Sequence, residues 1–344
     1  MERTGIEFRS DRYASEFLDP RVGFERRTSE IEVRTDPLTG RTARFGPPRG
    51  SLDLAPAAPE ATESAADACL FCAPLVFEKT PRSPLLAKGR HAVGEAFLFP
   101  NLFPSTLESA VCVFTTSHDL DLLAYDERRI ADALRACRDF LHLAVRAHPP
   151  GLHTTILARH RSADPGIAHP HLRALADPSP LDSTRTTADG VAAYAARTGR
   201  RFHEDLVSAE FEAERGLARL RTFDWIVPFC PLGPLHVEAV GREPRALEEL
   251  ADHDLEDLAD GLVRVFRGCR RAGVGTLDLR FQAGASHDTD DRRFPPVLEV
   301  IARSEGRGGL PDGRPPMDAR GPARTLATRP ERVAELLRPP FADI

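Results

Sequence analysis

The sequence predicts an α+β protein in which one structural unit occurs twice. Short apolar strands follow one another in the same order in both parts of the chain, and the first strand of each part ends in proline. A long amphipathic helix lies between the second and third strands of each part. Strands joined by short turns pair antiparallel, so the pattern indicates a duplicated fold with mostly antiparallel sheets and packed helices.

The first unit spans residues 66–190 and begins with a pair of strands joined by a turn. Its predicted elements are strands at 96–100 and 110–114, a helix at 126–148 and a strand at 153–157. Apolar residues recur every three or four positions in the helix, which gives it one buried face. Asp126 and Glu127 suit its N-terminus, where the helix dipole favours negative charge.

The second unit spans residues 191–305 and repeats this order. Its predicted elements are strands at 224–228 and 235–240, a helix at 254–271 and strands at 277–281 and 297–301. Gly273 is a suitable stop for the helix. The charge-rich stretch 204–221, which precedes the first strand, has the spacing of a solvated amphipathic helix.

The two ends of the chain lack this periodicity. Residues 1–65 are predicted to be irregular, because they contain a turn signal at 36–41 and a proline-rich stretch at 47–59. Residues 306–344 are rich in proline, glycine and arginine and are predicted to be extended, with one short helix near 330–337.

Composition excludes several classes of protein. The chain has 344 residues and a net charge of −6 with both signs mixed along it, which argues against a nucleic-acid-binding protein. No apolar run approaches the ~20 residues that cross a bilayer, so no membrane partner is expected. The first twenty residues are charged and lack the apolar core of a signal peptide. A cytoplasmic protein with its six cysteines reduced is therefore expected.

Cys69 and Cys72 form a Cys-x-x-Cys motif, the most specific chemical signal in the chain. This spacing lets both sulfurs face one metal ion, although a redox pair and unrelated buried thiols have the same pattern. A zinc site needs two further ligands. His118, after the second strand, and His169, in a His-Pro-His sequence, are candidates, and each would alone be read as a surface histidine.

Five motifs, in order, resemble the galactose-1-phosphate uridylyltransferase family of the histidine-triad superfamily. They are Asp-Pro-Leu-Thr-Gly-Arg (36–41), Cys-Leu-Phe-Cys (69–72), Phe-Pro-Asn-Leu-Phe (99–103), Val-Cys-Val-Phe-Thr-Thr-Ser-His (111–118) and His-Pro-His (169–171). The second unit also resembles the family, at Asp-Trp-Ile-Val-Pro-Phe (224–229), so the resemblance covers about residues 30–285. It implies a duplicated histidine-triad-like fold.

The resemblance also implies roles for individual residues. Cys69, Cys72, His118 and His169 would bind one structural zinc ion, and His171 would be the nucleophile that accepts a nucleoside monophosphate from a nucleotide or nucleotide-sugar. Asn101 would lie near the nucleotide. A homodimer is also implied, since the family completes its active sites with a neighbouring subunit.

Several positions depart from the family pattern. The family continues His-Pro-His with Gly-Gln, whereas this chain has Leu172 and Arg173, and Arg173 is expected to hold phosphate charge during catalysis. The loop before His-Pro-His carries Arg159, Arg161 and Gly166 in place of the family asparagine, and these are the expected substrate-binding residues.

The second unit has lost other family residues. Its last strand has no His-x-His, so one metal site is expected, not two, and galactose 1-phosphate is not the expected acceptor. The leading prediction is a nucleotidyltransferase that uses His171. A hydrolase or phosphorylase of the same superfamily, or a zinc-stabilised protein that binds a ligand without catalysis, is the alternative.

Overall fold

Among the residues that the structure describes, ten strands form one continuous antiparallel sheet, and four form a smaller sheet. This computed structural model describes residues 5–19, 23–45, 69–119, 121–160, 169–275, 277–289, 292–302, 323–326 and 328–342. The strands are β1 (Arg9–Asp19), β2 (Glu25–Thr35), β3 (Thr42–Phe45), β4 (His91–Val93), β5 (Ala96–Pro100), β6 (Glu108–Val113), β7 (His153–His160), β8 (His171–Asp177), β9 (Gly216–Arg219), β10 (Phe223–Ile226), β11 (Leu235–Gly241), β12 (Leu277–Gln282), β13 (Val297–Ala302) and β14 (Ala323–Leu326). The α-helices are α1 (Leu75–Lys79), α2 (Glu127–Ala147), α3 (Asp182–Thr198), α4 (Phe202–Glu212), α5 (Asp252–Arg271), α6 (Pro330–Leu337) and α7 (Pro339–Ala342).

The large sheet is symmetric about its centre. Its order is β4-β5-β6-β8-β7-β12-β13-β11-β10-β9, so each unit contributes five strands in the same relative order, and β7 meets β12 in the middle. The predicted duplication and the α+β class are confirmed. The strand β8, which begins at His171, was not predicted, because its mixed polar and apolar residues follow the His-Pro-His motif without a turn signal.

Helices α2 and α5 cover one face of the large sheet and pack against each other. Asp126 caps α2 by accepting a hydrogen bond from the Arg129 amide at 2.8 Å, as its position predicts. The buried faces of both helices join the inward residues of all eight central strands in one core. This core is the largest in the protein and fixes both units as one body.

The opposite face of the sheet is covered by different elements in the two units. In the second unit, α3 and α4 cover it, and Val191 and Val207 pack with Ile226 and Val240 of the sheet. In the first unit, the short helix α1 covers only a patch, through Val76 on Phe99, Val111 and Val113. The face that carries His171 is therefore the less covered of the two.

The N-terminal segment contains regular structure, so the prediction of an irregular segment is wrong for part of it. Strands β1 and β2 form an antiparallel hairpin of two eleven-residue strands, and β3 continues it. These strands were not predicted because the described side chains of β1 are exposed and β2 buries Glu32 and Arg34, where a half-buried strand is expected to carry apolar residues. The proline-rich stretch 47–59 lies outside the described residues.

The C-terminal segment is also more ordered than an extended tail. Strand β14 pairs in parallel with β3, and α6 forms over the residues for which a short helix was predicted. The helix buries Val333 and Leu337 in the main core. The Glu331 carboxylate receives hydrogen bonds from the guanidinium groups of Arg34 and Arg215.

Two helices differ from the prediction in the middle of the chain. Helix α3 was not predicted, and the helix expected at 204–221 ends at Glu212 and gives way to β9. The chain turns at Glu214, whose φ of 58° lies in the left-handed region and cannot continue a helix. No helix of the described residues is long and apolar enough to cross a membrane.

We expect Gly261→Ala to destabilise the protein although alanine favours helices by about 1 kcal/mol. A Cβ at this buried position of α5 would lie 2.1 Å from the Trp225 ring, which is itself fully buried. The expected loss is about 1–3 kcal/mol of unfolding free energy, measured by urea denaturation. The matched control is Gly268→Ala in the same helix, where the nearest atom is a single terminal methyl carbon of Leu337 at 2.5 Å, which can shift more easily than the Trp225 ring. Equal effects of the two variants would contradict this.

Candidate functional site

The loop between residue 69 and α1 brings two cysteine thiols together. The Cys72 amide donates a hydrogen bond to the Cys69 carbonyl at 3.1 Å, which closes the tight turn that the motif predicts. The next amide, of Ala73, donates to the Thr116 carbonyl at 2.9 Å and so ties this turn to the segment that leads to His118. Both cysteines are buried and neither forms a disulfide.

The two predicted histidines complete the cluster. The Nδ1 atom of His118 lies 3.1 Å from the Cys72 sulfur, and Nδ1 of His169 lies 3.4 Å from Cys72 and 3.7 Å from Cys69. The four ligand atoms are all within 4.8 Å of one another. The structure therefore assembles all four residues that the sequence predicts as metal ligands.

The cluster fits a tetrahedral zinc ion. Bonds of about 2.3 Å to sulfur and 2.0–2.1 Å to nitrogen place sulfur and nitrogen about 3.6 Å apart in a tetrahedron, close to the observed separations. His169 presents the correct nitrogen, because its Nε2–H donates to the Thr115 carbonyl at 2.8 Å and leaves Nδ1 as the acceptor. Thr115 was not singled out from the sequence, since a backbone carbonyl leaves no signal in the residue type.

Burial favours the uncharged forms of Cys72 and His169. Burial, together with the hydrogen bond and charge of the Cys69 thiol, raises the pKa of the Cys72 thiol to about 12. Burial also lowers the pKa of His169, against the opposing effect of its bond to Thr115. A divalent cation would reverse the preference of the thiols, because it stabilises the thiolate directly. The raised pKa disfavours Cys72 as a reactive redox thiol, which needs a lowered pKa.

His171 begins β8 on the face of the sheet opposite α2. Its Nδ1–H donates to the His169 carbonyl at 2.8 Å, so the neutral ring carries its lone pair on Nε2. Burial lowers the pKa of His171, and the nearby positive charge of Arg173 lowers it further. The ring of Phe71, from the cysteine loop, packs edge-on against His171 with the ring centroids 5.2 Å apart. His171 is therefore an oriented, neutral imidazole beside the metal cluster.

Arg173 lies two residues after His171, so both side chains are on the same face of β8. Across the sheet, Arg173 pairs with Val111 of β6, which pairs with Phe99 of β5. On its other side, Arg173 pairs with Leu157 of β7, which pairs with Arg280 of β12. Arg173 is exposed. An exposed guanidinium beside a neutral imidazole is suited to hold an anionic group near Nε2.

Asn101 follows β5 and stabilises its own loop. Its side-chain oxygen accepts a hydrogen bond from the Phe103 amide at 3.1 Å, and its backbone amide donates to the Ser109 carbonyl at 2.8 Å. Ser109 pairs with Leu175, which lies two residues after Arg173 in β8. Asn101 is therefore near the level of Leu175 along the strands, on the side of Arg173 away from His171. Its predicted contact with a nucleotide stays a prediction.

The structure says less about the remaining predicted substrate residues, Arg159, Arg161 and Gly166. Arg159 belongs to β7, and its backbone pairs with Asp278 of the second unit. Arg161 and Gly166 lie outside the described residues. Their predicted roles in substrate binding stay predictions.

Two further groups of possible metal ligands were missed by the sequence analysis, which saw no ligand-like pattern in their histidines. His153, His287 and Asp288 come within 4.8 Å of one another, as do His236, Glu238 and Glu299. In each group two members are close in sequence, His287 with Asp288 and His236 with Glu238, and the third comes from a distant strand, His153 of β7 or Glu299 of β13. Glu299 is already compensated by Arg280, which donates two hydrogen bonds to its carboxylate.

Comparison with known proteins supports the fold. No family model matches the chain. An uncharacterized protein of Archaeoglobus fulgidus is 24% identical over 305 residues, which cover 87% of this chain and 88% of that protein. The crystal structure of an ADP-glucose phosphorylase from Arabidopsis thaliana with bound ADP-glucose superposes with a TM-score of 0.69 at 17% identity, over 90% of this chain and 98% of that one.

A structure of a uridylyltransferase superposes with a TM-score of 0.63 at 20% identity, over 90% of this chain and 98% of that one. The chain has the fold of these two proteins. The resemblance that the motifs indicate is therefore confirmed at the level of the fold. Since the identities are low, the activity is argued below from the residues of this chain.

We expect His171 to carry its proton on Nδ1 and to leave Nε2 bare, because the His169 carbonyl accepts only from a protonated nitrogen. Nitrogen-15 NMR of histidine-labelled protein at mildly alkaline pH should show this tautomer. The His171→Ala spectrum identifies the signal by its loss. A ring with its proton on Nε2 would contradict the geometry described here.

Proposed function

We propose that the protein transfers a nucleoside monophosphate from a nucleotide-linked donor through a covalent bond to His171. The observation that carries this proposal is the hydrogen bond from His171 Nδ1 to the His169 carbonyl, which leaves a neutral Nε2 with a free lone pair beside Arg173. A neutral imidazole is both a good nucleophile toward phosphorus and a good leaving group once transfer reverses.

The proposed reaction has two displacements at one phosphorus atom. In the first, the lone pair of Nε2 forms a bond to the α-phosphorus of the donor, and the bond to the leaving phosphate oxygen breaks. In the second, an acceptor oxygen attacks the same phosphorus and releases the imidazole. Arg173 would hold the charge of the phosphoryl oxygens, and Arg159, Arg161 and Gly166 would bind the rest of the substrate.

The acceptor defines the reaction class. A sugar phosphate would make the protein a transferase, inorganic phosphate a phosphorylase and water a hydrolase. Both activities named for the superposed structures, a phosphorylase and a uridylyltransferase, belong to this set. Arg173, where the resembling family has glutamine, favours a fully ionised phosphate acceptor because guanidinium binds phosphate in a bidentate manner.

We further propose that Cys69, Cys72, His118 and His169 hold one zinc ion with a structural role. When bound, the ion would fix the loop that carries His169 and thereby the carbonyl that orients His171. It is not in contact with the reacting phosphorus in this proposal. A homodimer that completes the substrate site is proposed from the resemblance alone.

We expect the purified protein to form a nucleoside-monophosphate adduct when it is mixed with a panel of sugar nucleotides and quenched at alkaline pH. Intact-mass spectrometry should show the added mass on the native chain and on His142→Gln, an exposed histidine of α2, but not on His171→Gln. An adduct that persists in His171→Gln would assign the nucleophile elsewhere. Chasing the adduct with hexose 1-phosphate, inorganic phosphate or buffer alone identifies the acceptor.

We expect about one zinc ion per chain in the native protein and a large loss of metal in Cys72→Ser, because a hydroxyl is a poor zinc ligand. Cys269→Ser is the matched control, since this cysteine is equally buried but lies in the core of α5. Metal is measured by elemental mass spectrometry after dialysis. Equal metal content in both variants would refute the zinc site, whereas zinc without any adduct would favour a ligand-binding protein.

A further inference from the structure

A large cavity lies in the second unit. It has a volume of about 630 Å³ and is lined by α3, α4, the ends of β9 to β11, Arg293 and Pro295. This volume falls within the range of about 300–1,000 Å³ typical of small-molecule sites. The cavity contains none of the residues assigned above to nucleotidyl transfer or metal binding.

The cavity is also remote from His171. Asp224, in its wall, belongs to β10, and β8 is separated from β10 by four intervening strands. Neighbouring strands are about 4.8 Å apart, so the two positions are about 24 Å apart across the sheet. A ligand in this cavity would not occupy the nucleotide site.

The lining of the cavity is rich in arginine. Five arginines face it: Arg200, Arg201, Arg219, Arg242 and Arg293. Four carboxylates pair with them, Glu204 and Asp224 in the lining and Asp205 and Glu249 beside it. Guanidinium groups gathered around one cavity favour an anion with several oxygens, which can replace the weaker of these pairs.

Two of the arginines are held in place by the protein. Arg242 donates to the Asp224 carboxylate at 2.9 Å and also to the carbonyls of Leu220 and Arg221. Arg219 stacks over the Phe211 ring, with the guanidinium carbon 4.3 Å from the ring centroid. Both guanidinium groups are therefore ordered before any ligand binds, which reduces the entropic cost of binding.

Two other arginines retain capacity for a ligand. Arg293 donates one hydrogen bond to Glu249 at 3.0 Å, but its buried Nε–H has no acceptor among the described residues. Arg201 lies at the rim, where it is mostly exposed and pairs only loosely with Glu204 at 3.3 Å. Exposed pairs of this kind contribute little free energy and are readily exchanged for a ligand.

The rest of the lining is apolar. Val191 of α3, Phe202 and Val207 of α4 and Val240 of β11 contribute side chains to it. His203 stacks on Phe294 with the centroids 5.9 Å apart, and burial lowers its pKa to about 4. His203 is therefore uncharged at neutral pH, and the positive charge of the cavity comes from the arginines alone.

We propose that this cavity is a second ligand site, which binds a phosphorylated small molecule of about nucleotide size. The arginines would bind its phosphate oxygens, and the apolar surface of α3 and α4 would bind its uncharged part. This site goes beyond the nucleotidyl transfer proposed for His171 and does not depend on it.

The test uses ADP as the probe, since it combines a diphosphate with an uncharged ring system. ADP is titrated calorimetrically into the full chain, and hydrogen–deuterium exchange is followed in α4. We expect saturable binding that slows amide exchange in α4, both in the native protein and in His171→Ala. Pyrophosphate alone should bind more weakly, because it cannot use the apolar surface.

The double variant Arg201→Gln/Arg293→Gln should weaken the binding that protects α4 by about tenfold or more, as expected for lost hydrogen bonds to charged groups. The matched control, Arg26→Gln/Arg332→Gln, removes the same charge from exposed arginines elsewhere and should bind normally. Ser208→Trp keeps every arginine but fills the cavity from α4, and it should also abolish protection.

Circular dichroism and thermal unfolding establish that each variant is folded. The proposal is overturned if ADP leaves exchange in α4 unchanged in the native protein. It is also overturned if the folded cavity variants bind ADP and protect α4 as the control does.

Discussion

The architecture depends on the antiparallel pairing of β7 with β12. Six residue pairs join these strands, and they turn two five-stranded sheets into one. Because the sheet is continuous, α2 and α5 lie side by side on one face and share a single apolar core. Everything else, including the loops that carry the metal cluster and His171, is attached to this frame.

The shared frame supports two units that have diverged in how they use the opposite face of the sheet. In the first unit, α1 and the cysteine loop cover part of the face and bring Phe71 against His171. In the second unit, α3 and α4 cover the corresponding surface and enclose an arginine-lined cavity. The two units thus carry the same sheet face with different coverings and different side chains.

The sequence predicted the parts of this structure that are specified locally. Helices α2 and α5 have strong apolar periodicity, and Cys69 and Cys72 form a motif with fixed spacing, whereas the set with His118 and His169 came from the family resemblance. The strands β1 and β2 could not be found from periodicity, because the buried side of β2 carries Glu32 and Arg34 instead of apolar residues. The arginine-lined cavity was equally hidden, since Arg201, Arg242 and Arg293 lie far apart in sequence and meet only through the topology.

The buried charges around Arg34 have a consequence for how the protein is made. Arg34 and Arg215 both donate to Glu331, while β3 pairs with β14, so the N-terminal sheet is completed by a segment almost 300 residues away. During synthesis, Arg34 and Arg215 already have Glu32 and Glu210 as partners, but β3 lacks β14 and both arginines lack Glu331 until residues 323–337 have been made. One edge of this sheet therefore stays unpaired for most of the time that the chain is being made, which exposes it to pairing with other chains.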